Sequence, residues 1–283
     1  MIISASRRTD IPAFYSEWFL NRIKAGHLMT RNPYNQTTRK VSLTPNSVNA
    51  IVFWTKNPQP MLHRLDELRN FMYYFQFTVS AYGTDIEPHV PNKQGVILPA
   101  FKQLADTIGP ERVIWRYDPI LITDRYDTAY HLHAFNFIAN ALRGYTKKVI
   151  ISFVDVDYKN TKRLALPVQN INTQVELAKK LADIARSCGM EIETCAEDMG
   201  LEQFGINHAR CIDGDLISKL LNRQLGAKKD KWQRKTCGCV TSIDIGAYNT
   251  CLNGCTYCYA NFQPDAIQSN YAQHDPASSF LIG

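Results

Sequence analysis

Thr241–Tyr259 reads TSIDIGAYNTCLNGCTYCY. Its first part, Thr241–Tyr248, is a strand candidate, and Pro264–Tyr271 beyond it has a helical pattern, so the whole reads as one strand–loop–helix unit. The loop carries Cys251, Cys255 and Cys258 in a C-x3-C-x2-C spacing, with Gly254 where the backbone must turn tightly. Three thiolates this close can wrap one metal cluster. Electron-transfer cubanes are usually held by four thiolates, so a three-cysteine loop can leave one iron open to an exchangeable ligand. The alternative is structural zinc, which prefers four closed ligands, often as paired C-x2-C units.

Working back from that unit, β-rich runs alternate with helical stretches. The predicted strands are Met1–Ser6, Ala50–Trp54, Tyr73–Ser80, Arg112–Tyr117, Lys148–Val154 and Met190–Thr194. Several are apolar almost throughout, as strands buried on both faces should be. Helices are predicted at Ala13–Lys24, Pro60–Asn70, Gly95–Ile108, Ala129–Leu142, Thr173–Ser187 and Asp215–Leu225. Repeated strand–helix units imply an α/β fold with a parallel sheet and right-handed crossovers. A (β/α) barrel, partial or complete, is expected, with a doubly wound sheet as runner-up. Residues 1–283 are read as a single domain, with 237–271 as its cysteine-rich unit. KKDKWQRK at Lys228–Lys235 is read as a surface linker.

Composition narrows the function classes. The net charge of +6 permits an anionic ligand or nucleic acid without demanding either. The opening MIISASRRTD is too short an apolar run for a signal peptide, being cut off by Arg7 and Arg8. No stretch approaches the ~18 apolar residues of a membrane span, so a cytoplasmic protein is expected. None of the eight cysteines lies in the first 187 residues. Such clustering in a large chain points to metal rather than to a disulfide framework.

The C-x3-C-x2-C run, with Tyr257 before the last cysteine, resembles the signature of the radical S-adenosylmethionine superfamily. Tyr248 and Cys258-Tyr259-Ala260 make it look like the spore photoproduct lyase branch. The resemblance implies a 4Fe–4S cluster on Cys251, Cys255 and Cys258 and S-adenosylmethionine on the open iron. It also implies reductive cleavage of the sulfonium to a 5′-deoxyadenosyl radical, acting on an unknown substrate. A reductant such as flavodoxin or ferredoxin would be the partner. In that superfamily the cysteine loop follows the first barrel strand, whereas here it lies near the C-terminus. Circular permutation is therefore expected, with Thr241–Tyr271 as the first unit in space and Met1–Lys24 as the second.

The text IISASRRTDIPAFY at Ile2–Tyr15 is similar to the end of the second strand of that branch, matching at Thr9 and Asp10. Ser6, Thr9 and Asp10 are therefore placed near the cofactor with Tyr257, although Asp10 could equally cap a helix starting near Pro12. Taken whole, the chain looks like a member of a family known as domain of unknown function 1848. The texts that carry this are SASRRTDIPAFY at Ser4–Tyr15, FWTKNP at Phe53–Pro58, RYDPI at Arg116–Ile120, ETCAE at Glu193–Glu197 and the tail from Cys237. No reaction comes with that family.

Cys195, Cys211, Cys237 and Cys239 could close around a second cluster or a zinc ion, with an electron-relay or structural role. Reduced core thiols are the alternative, and Cys188 is read as one. Strand ends that would face a barrel mouth offer Arg116, Asp118, Ser152 and Glu193, with Ser152 a candidate for the adenosyl ribose. Arg7 and Arg8 suit a phosphate or carboxylate. The histidines have no metal spacing, and no phosphate-binding glycine loop or G-x-S-x-G elbow occurs. Two other classes stay open: a zinc-stabilised nucleic-acid-binding or scaffold protein, and an iron–sulfur electron carrier or sensor.

Overall fold

The computed structural model describes residues 1–156, 161–162, 164, 166–167, 170–234 and 236–283; Lys235 of the basic linker lies outside these. The chain opens on β1 (Ile2–Ala5). A hairpin follows, β2 (His27–Arg31) and β3 (Thr38–Ser42), paired antiparallel. Then come β4 (Ala50–Thr55), β5 (Tyr73–Thr78), β6 (Val113–Ile120), β7 (Lys148–Phe153) and β8 (Glu191–Thr194). Two short strands, β9 (Asn207–His208) and β10 (Ile243–Asp244), complete the set.

Eight of these form one parallel sheet, in the order β10-β1-β4-β5-β6-β7-β8-β9. Each strand from β1 onward is laid beside the previous member of the sheet. The exception is β10, the last in the chain, which returns to the opposite edge and pairs with β1. The cysteine-bearing unit is thus last in sequence and lies next to the first strand in space.

Side chains alternate across a strand, so each strand feeds two faces. On one face Ile3, Ile51, Phe53, Phe75, Trp115, Val149 and Ile151 pack with the helices Ser16–Ala25, Leu98–Ile108, Thr128–Ala141 and Ile171–Ser187. On the second face Ile2, Ala50, Val52, Tyr74, Ile114 and Ile150 pack against Ala209, Ile212, Ile217 and Val240. Burial on both faces accounts for the near-continuous apolar strands. One step of two residues toward the C-terminal ends, the second face turns polar. Ser4, Gln76, Arg116 and Ser152 succeed Ile2, Tyr74, Ile114 and Ile150.

Some predicted elements change shape. Ala13–Lys24 is two helices, Ile11–Phe14 and Ser16–Ala25, because Tyr15 leaves the helical region at φ −133°. Pro60–Asn70 is a turn of helix at Gln59–Leu62 and a 3-10 turn at Leu65–Leu68, with Arg64 at φ −122° between them. Asp215–Leu225 stops early, at Leu221, on a left-handed Asn222. The strand expected across Thr241–Tyr248 shrinks to two residues. The hairpin β2–β3 was not predicted. Only Leu28 and Val41 among its ten residues are buried apolar side chains, too few to give an alternation signal. No helix of the described residues is long and apolar enough to cross a membrane.

Candidate metal centre

The cysteine loop hangs from the C-terminal end of β10, and one carboxylate fixes that end to β1. Asp244 accepts hydrogen bonds from Ser4 Oγ at 2.7 Å, Ser6 Oγ at 2.7 Å and the Arg7 N–H at 3.0 Å. Ile245 N–H donates to Ser4 O at 3.0 Å, extending the ladder by one bond. The strands approach so closely that a Cβ on Gly246 would stand 2.1 Å from Ser6 Oγ.

The loop itself is organised by two asparagines. Asn261 Oδ1 accepts from the N–H groups of Thr250 and Cys251, each at 2.9 Å, and its Nδ2 donates to Cys258 Sγ at 3.4 Å. Asn253 Nδ2 donates to Cys251 Sγ at 3.4 Å and to Asp10 Oδ2 at 3.2 Å. Gly254 has φ +68°, and a Cβ there would lie 2.8 Å from the His89 ring, so this turn is built for glycine. Tyr15 OH donates to Thr250 O at 2.6 Å, which gives the helix break at Tyr15 a structural use.

Cys251, Cys255 and Cys258 keep some exposed surface, so a small ligand can reach them. Enough protein surrounds them that burial pushes the Cys251 thiol up to about 12 and the Cys255 thiol well above its ordinary range, against the pull of Lys56. Metal binding there must release protons. Among the described residues, no three His, Cys, Asp or Glu side chains stand in an arrangement that would hold a metal ion as they are.

Beneath the loop lies a buried ionic network. Glu87 is fully buried, and its carboxylate receives Lys56 Nζ at 2.7 Å, Lys93 Nζ at 2.9 Å, Ser80 Oγ at 2.7 Å and Tyr257 OH at 2.5 Å. Burial alone would raise its pKa, but the two ammonium groups outweigh that and hold it at about 2. Tyr257, expected near the cofactor, thereby pins the loop to the strand ends. In the sequence Lys56 stood out only within the text FWTKNP, and Glu87, Asn253, Asn261 and Asp244 were missed. No local motif marks them, because each acts through partners distant in the chain.

The structure brings the other four cysteines together on the second face of the sheet. Cys195 Sγ is 3.6 Å from Cys211 Sγ. Cys211, Cys237 and Cys239 lie in one buried cluster, with Cys195 packed against it. Arg116 Nη1 donates to Cys211 Sγ at 2.9 Å, and Ile212 N–H to Cys239 Sγ at 3.4 Å. The neighbouring thiols of Cys195 and Cys239, with Arg116 and Arg7 behind them, pull the Cys211 thiol well below its ordinary range. Cys188 is remote from this group, buried at the end of its helix as expected.

The remaining candidates are mostly engaged with one another. Arg116 holds Asp118 through Nε at 2.9 Å and through Nη2, and Ser152 Oγ donates to the other oxygen of Asp118. Glu193 pairs with Lys148 at 2.5 Å. Nearby, Glu197 takes the Phe153 N–H at 2.8 Å, and burial pushes its carboxyl up to about 7. Asp10 is buried and caps the first helix through the Ala13 N–H at 3.1 Å, while its other oxygen takes the Lys56 N–H at 2.7 Å. Arg7 lies over the Trp54 ring at 5.4 Å and Arg8 over Tyr248 at 5.0 Å. Thr9 and Thr256 each bury a side-chain Oγ1 that has no hydrogen-bond partner.

Fold and site together define an α/β protein with a run of parallel strands and a cysteine-rich terminal unit set beside its first strand. The chain belongs to the family described as domain of unknown function (DUF1848), whose model matches residues 2–260. This is the membership expected from the texts at Ser4–Tyr15, Phe53–Pro58 and Arg116–Ile120. No curated protein matches the chain. Among solved structures, HydG, a maturase of the FeFe-hydrogenase, matches with a TM-score of 0.35 and 10% identity. The match covers 71% of this chain, which spans 58% of that one.

Proposed function

We propose that the chain is an iron–sulfur enzyme that cleaves S-adenosylmethionine reductively. Cys251, Cys255 and Cys258 would hold the 4Fe–4S cluster, on a single-domain barrel permuted so that β10 is its first strand. The observation that carries this reading is the setting of the three-cysteine loop. It leaves the end of the strand beside β1, and its sulfurs meet N–H donors.

The residues present fit such a cluster. Asn253 and Asn261 donate to two of the three sulfurs, and charged sulfur accepts such bonds better than neutral thiol does. Lys56 supplies a cation beside Cys255, where an anionic centre needs one. The partnerless hydroxyls of Thr9 and Thr256 lie in the segments that flank the loop's own contacts. When bound, the cluster and S-adenosylmethionine would supply a single electron to the sulfonium and a 5′-deoxyadenosyl radical. The chain's own part is to orient and to exclude water. Tyr257 and Glu87 hold the loop against the strand ends. Arg116, Asp118 and Ser152 form the polar floor against which a substrate would lie, and Arg7 and Arg8 offer guanidinium groups to an anion. An external reductant such as flavodoxin or ferredoxin would deliver the electron.

Anaerobic reconstitution with iron and sulfide should give a brown protein. Reduction with dithionite in the presence of S-adenosylmethionine should release 5′-deoxyadenosine. Cys255→Ala should lose both the colour of this site and the release. Release that persists in Cys255→Ala, or a colourless protein with zinc on the loop, would refute the assignment.

A further inference from the structure

We propose that Cys195, Cys211, Cys237 and Cys239 form a separate, closed site for one tetrahedral metal ion, zinc by its donor set. The site pins the segment Ala209–Val240 to the second face of the sheet. The inference is independent of the radical reading, since it uses none of the loop cysteines.

Three observations converge on it. First, the four residues come from three separate places in the chain: the end of β8, the turn after β9, and the C-x-C pair before β10. Nothing local in the sequence requires them to meet. The structure nonetheless sets Cys195 Sγ against Cys211 Sγ and packs Cys211, Cys237 and Cys239 into one buried cluster. Second, the separation of Cys195 Sγ from Cys211 Sγ, 3.6 Å, has the scale of a single-ion shell. Four thiolates at Zn–S bonds of about 2.3 Å stand about 3.8 Å apart along the tetrahedron's edges. A four-iron cube holds its thiolates farther apart than that.

Third, the surroundings are those of a charged sulfur centre. Arg116 donates to Cys211 Sγ, and Ile212 N–H donates to Cys239 Sγ. Arg7 is electrostatically coupled to Cys239 and Cys211, and its Nη2 is buried without a hydrogen-bond partner. A divalent ion with four thiolates carries a net charge of −2, and Arg7, together with Arg116, which Asp118 shares, offsets part of it. Outer-sphere donors of this kind orient sulfur ligands and stabilise their charge.

As they stand the four sulfurs do not surround one point, in keeping with the absence of a ready three-ligand group among the described residues. Closing the shell requires cysteine side chains to turn inward, and a step of χ1 between staggered wells moves a cysteine sulfur by about 3 Å. The ion displaces whatever protons the four sulfurs carry, so each ligand is a thiolate when the site is filled. No electron is exchanged.

The test separates the two cysteine groups. The full chain with Cys251, Cys255 and Cys258 all changed to Ala is expressed with both zinc and iron in the medium. It should retain about one zinc per chain by mass spectrometry, without acid-labile sulfide. Exchange of that zinc for Co(II) should give the visible absorption of tetrahedral cobalt with sulfur-to-metal charge transfer. Adding Cys211→Ser and Cys239→Ser should abolish both signals. Should those changes unfold the chain, the cobalt spectrum of the triple variant alone still decides. A metal-free triple variant, an octahedral cobalt spectrum, or iron with equimolar sulfide at this site would each overturn the proposal. None of these outcomes depends on whether the loop cleaves S-adenosylmethionine.

Discussion

Changing Glu87 to Gln removes one negative charge from between two ammonium groups while keeping the side chain's shape. The carboxylate's ordinary value of 4.5 falls to about 2 in the folded chain. At 1.36 kcal/mol per pH unit, that gap corresponds to about 3 kcal/mol of stability at neutral pH. The side chain of Glu87 is fully buried, and those of Lys56 and Lys93 are only 13% and 19% exposed, so solvent screening takes little from this figure. Because the folded value is depressed, the contribution is present above pH 4.5 and is lost as pH falls through about 2. By pH 3 about 2 of the 3 kcal/mol should have gone. Urea unfolding followed by tryptophan fluorescence should therefore show Glu87→Gln less stable than the parent by about 3 kcal/mol at pH 7. At pH 3 the difference should shrink to about 1 kcal/mol. Hydrogen exchange at the Thr256 amide, which bonds Ile86 O at 3.0 Å, should accelerate in the variant, because Tyr257 loses its acceptor charge. A stability gap under about 1 kcal/mol at pH 7, or one that does not change between pH 7 and pH 3, would refute the reasoning.

Gly246→Ala forces a Cβ to within 2.1 Å of Ser6 Oγ and should cost about 1–3 kcal/mol in thermal unfolding; a neutral result would mean that β10 is not seated on β1 this closely. Asp244→Asn leaves one side-chain oxygen where Ser4, Ser6 and the Arg7 N–H now share two. It should cost about 2 kcal/mol and speed amide exchange at Ile245; unchanged exchange there would mean that Asp244 does not hold β10 to β1. Tyr74→Phe deprives Cys211 O and the Asp213 N–H of one partner each. Limited proteolysis should then cut within Ala209–Val240 sooner, with a stability loss of about 1–3 kcal/mol, and unchanged cleavage kinetics would count against that segment's anchoring.

What the sequence disclosed was the part of the molecule written in short range. The buried strands announce themselves because both faces are covered, so Ala50–Trp54 reads as an apolar and aromatic run and Tyr73–Phe77 as one interrupted only by Gln76. The cysteine loop is likewise local, its three cysteines lying within eight residues of one another. The hairpin β2–β3 escaped because pairing, not burial, makes it, and β9 escaped because two residues carry no period, while β10 was expected within Thr241–Tyr248 but is shorter than that. The site behaves in the same way. Asp10 could be read as a helix cap, and it is one, but its second oxygen also takes Lys56 N–H and Asn253 Nδ2, bonds that no window of sequence contains.

The arrangement of the sheet explains why these distant bonds fall where they do. A strand that closes the chain but pairs with the strand that opens it must be fastened by side chains from opposite ends of the sequence. Asp244 reaches Ser4 and Ser6 across some 240 positions, and Asn261 reaches Arg8 O across some 250. The same return path carries Cys237 and Cys239 across the second face of the sheet on the way to β10, where Cys195 and Cys211 already stand. Both cysteine groups therefore follow from one topological fact. If β10 were shown to pair elsewhere than on β1, the loop cysteines would lose the neighbours that Asp244 and Asn261 give them, while Cys195 and Cys211 would still meet.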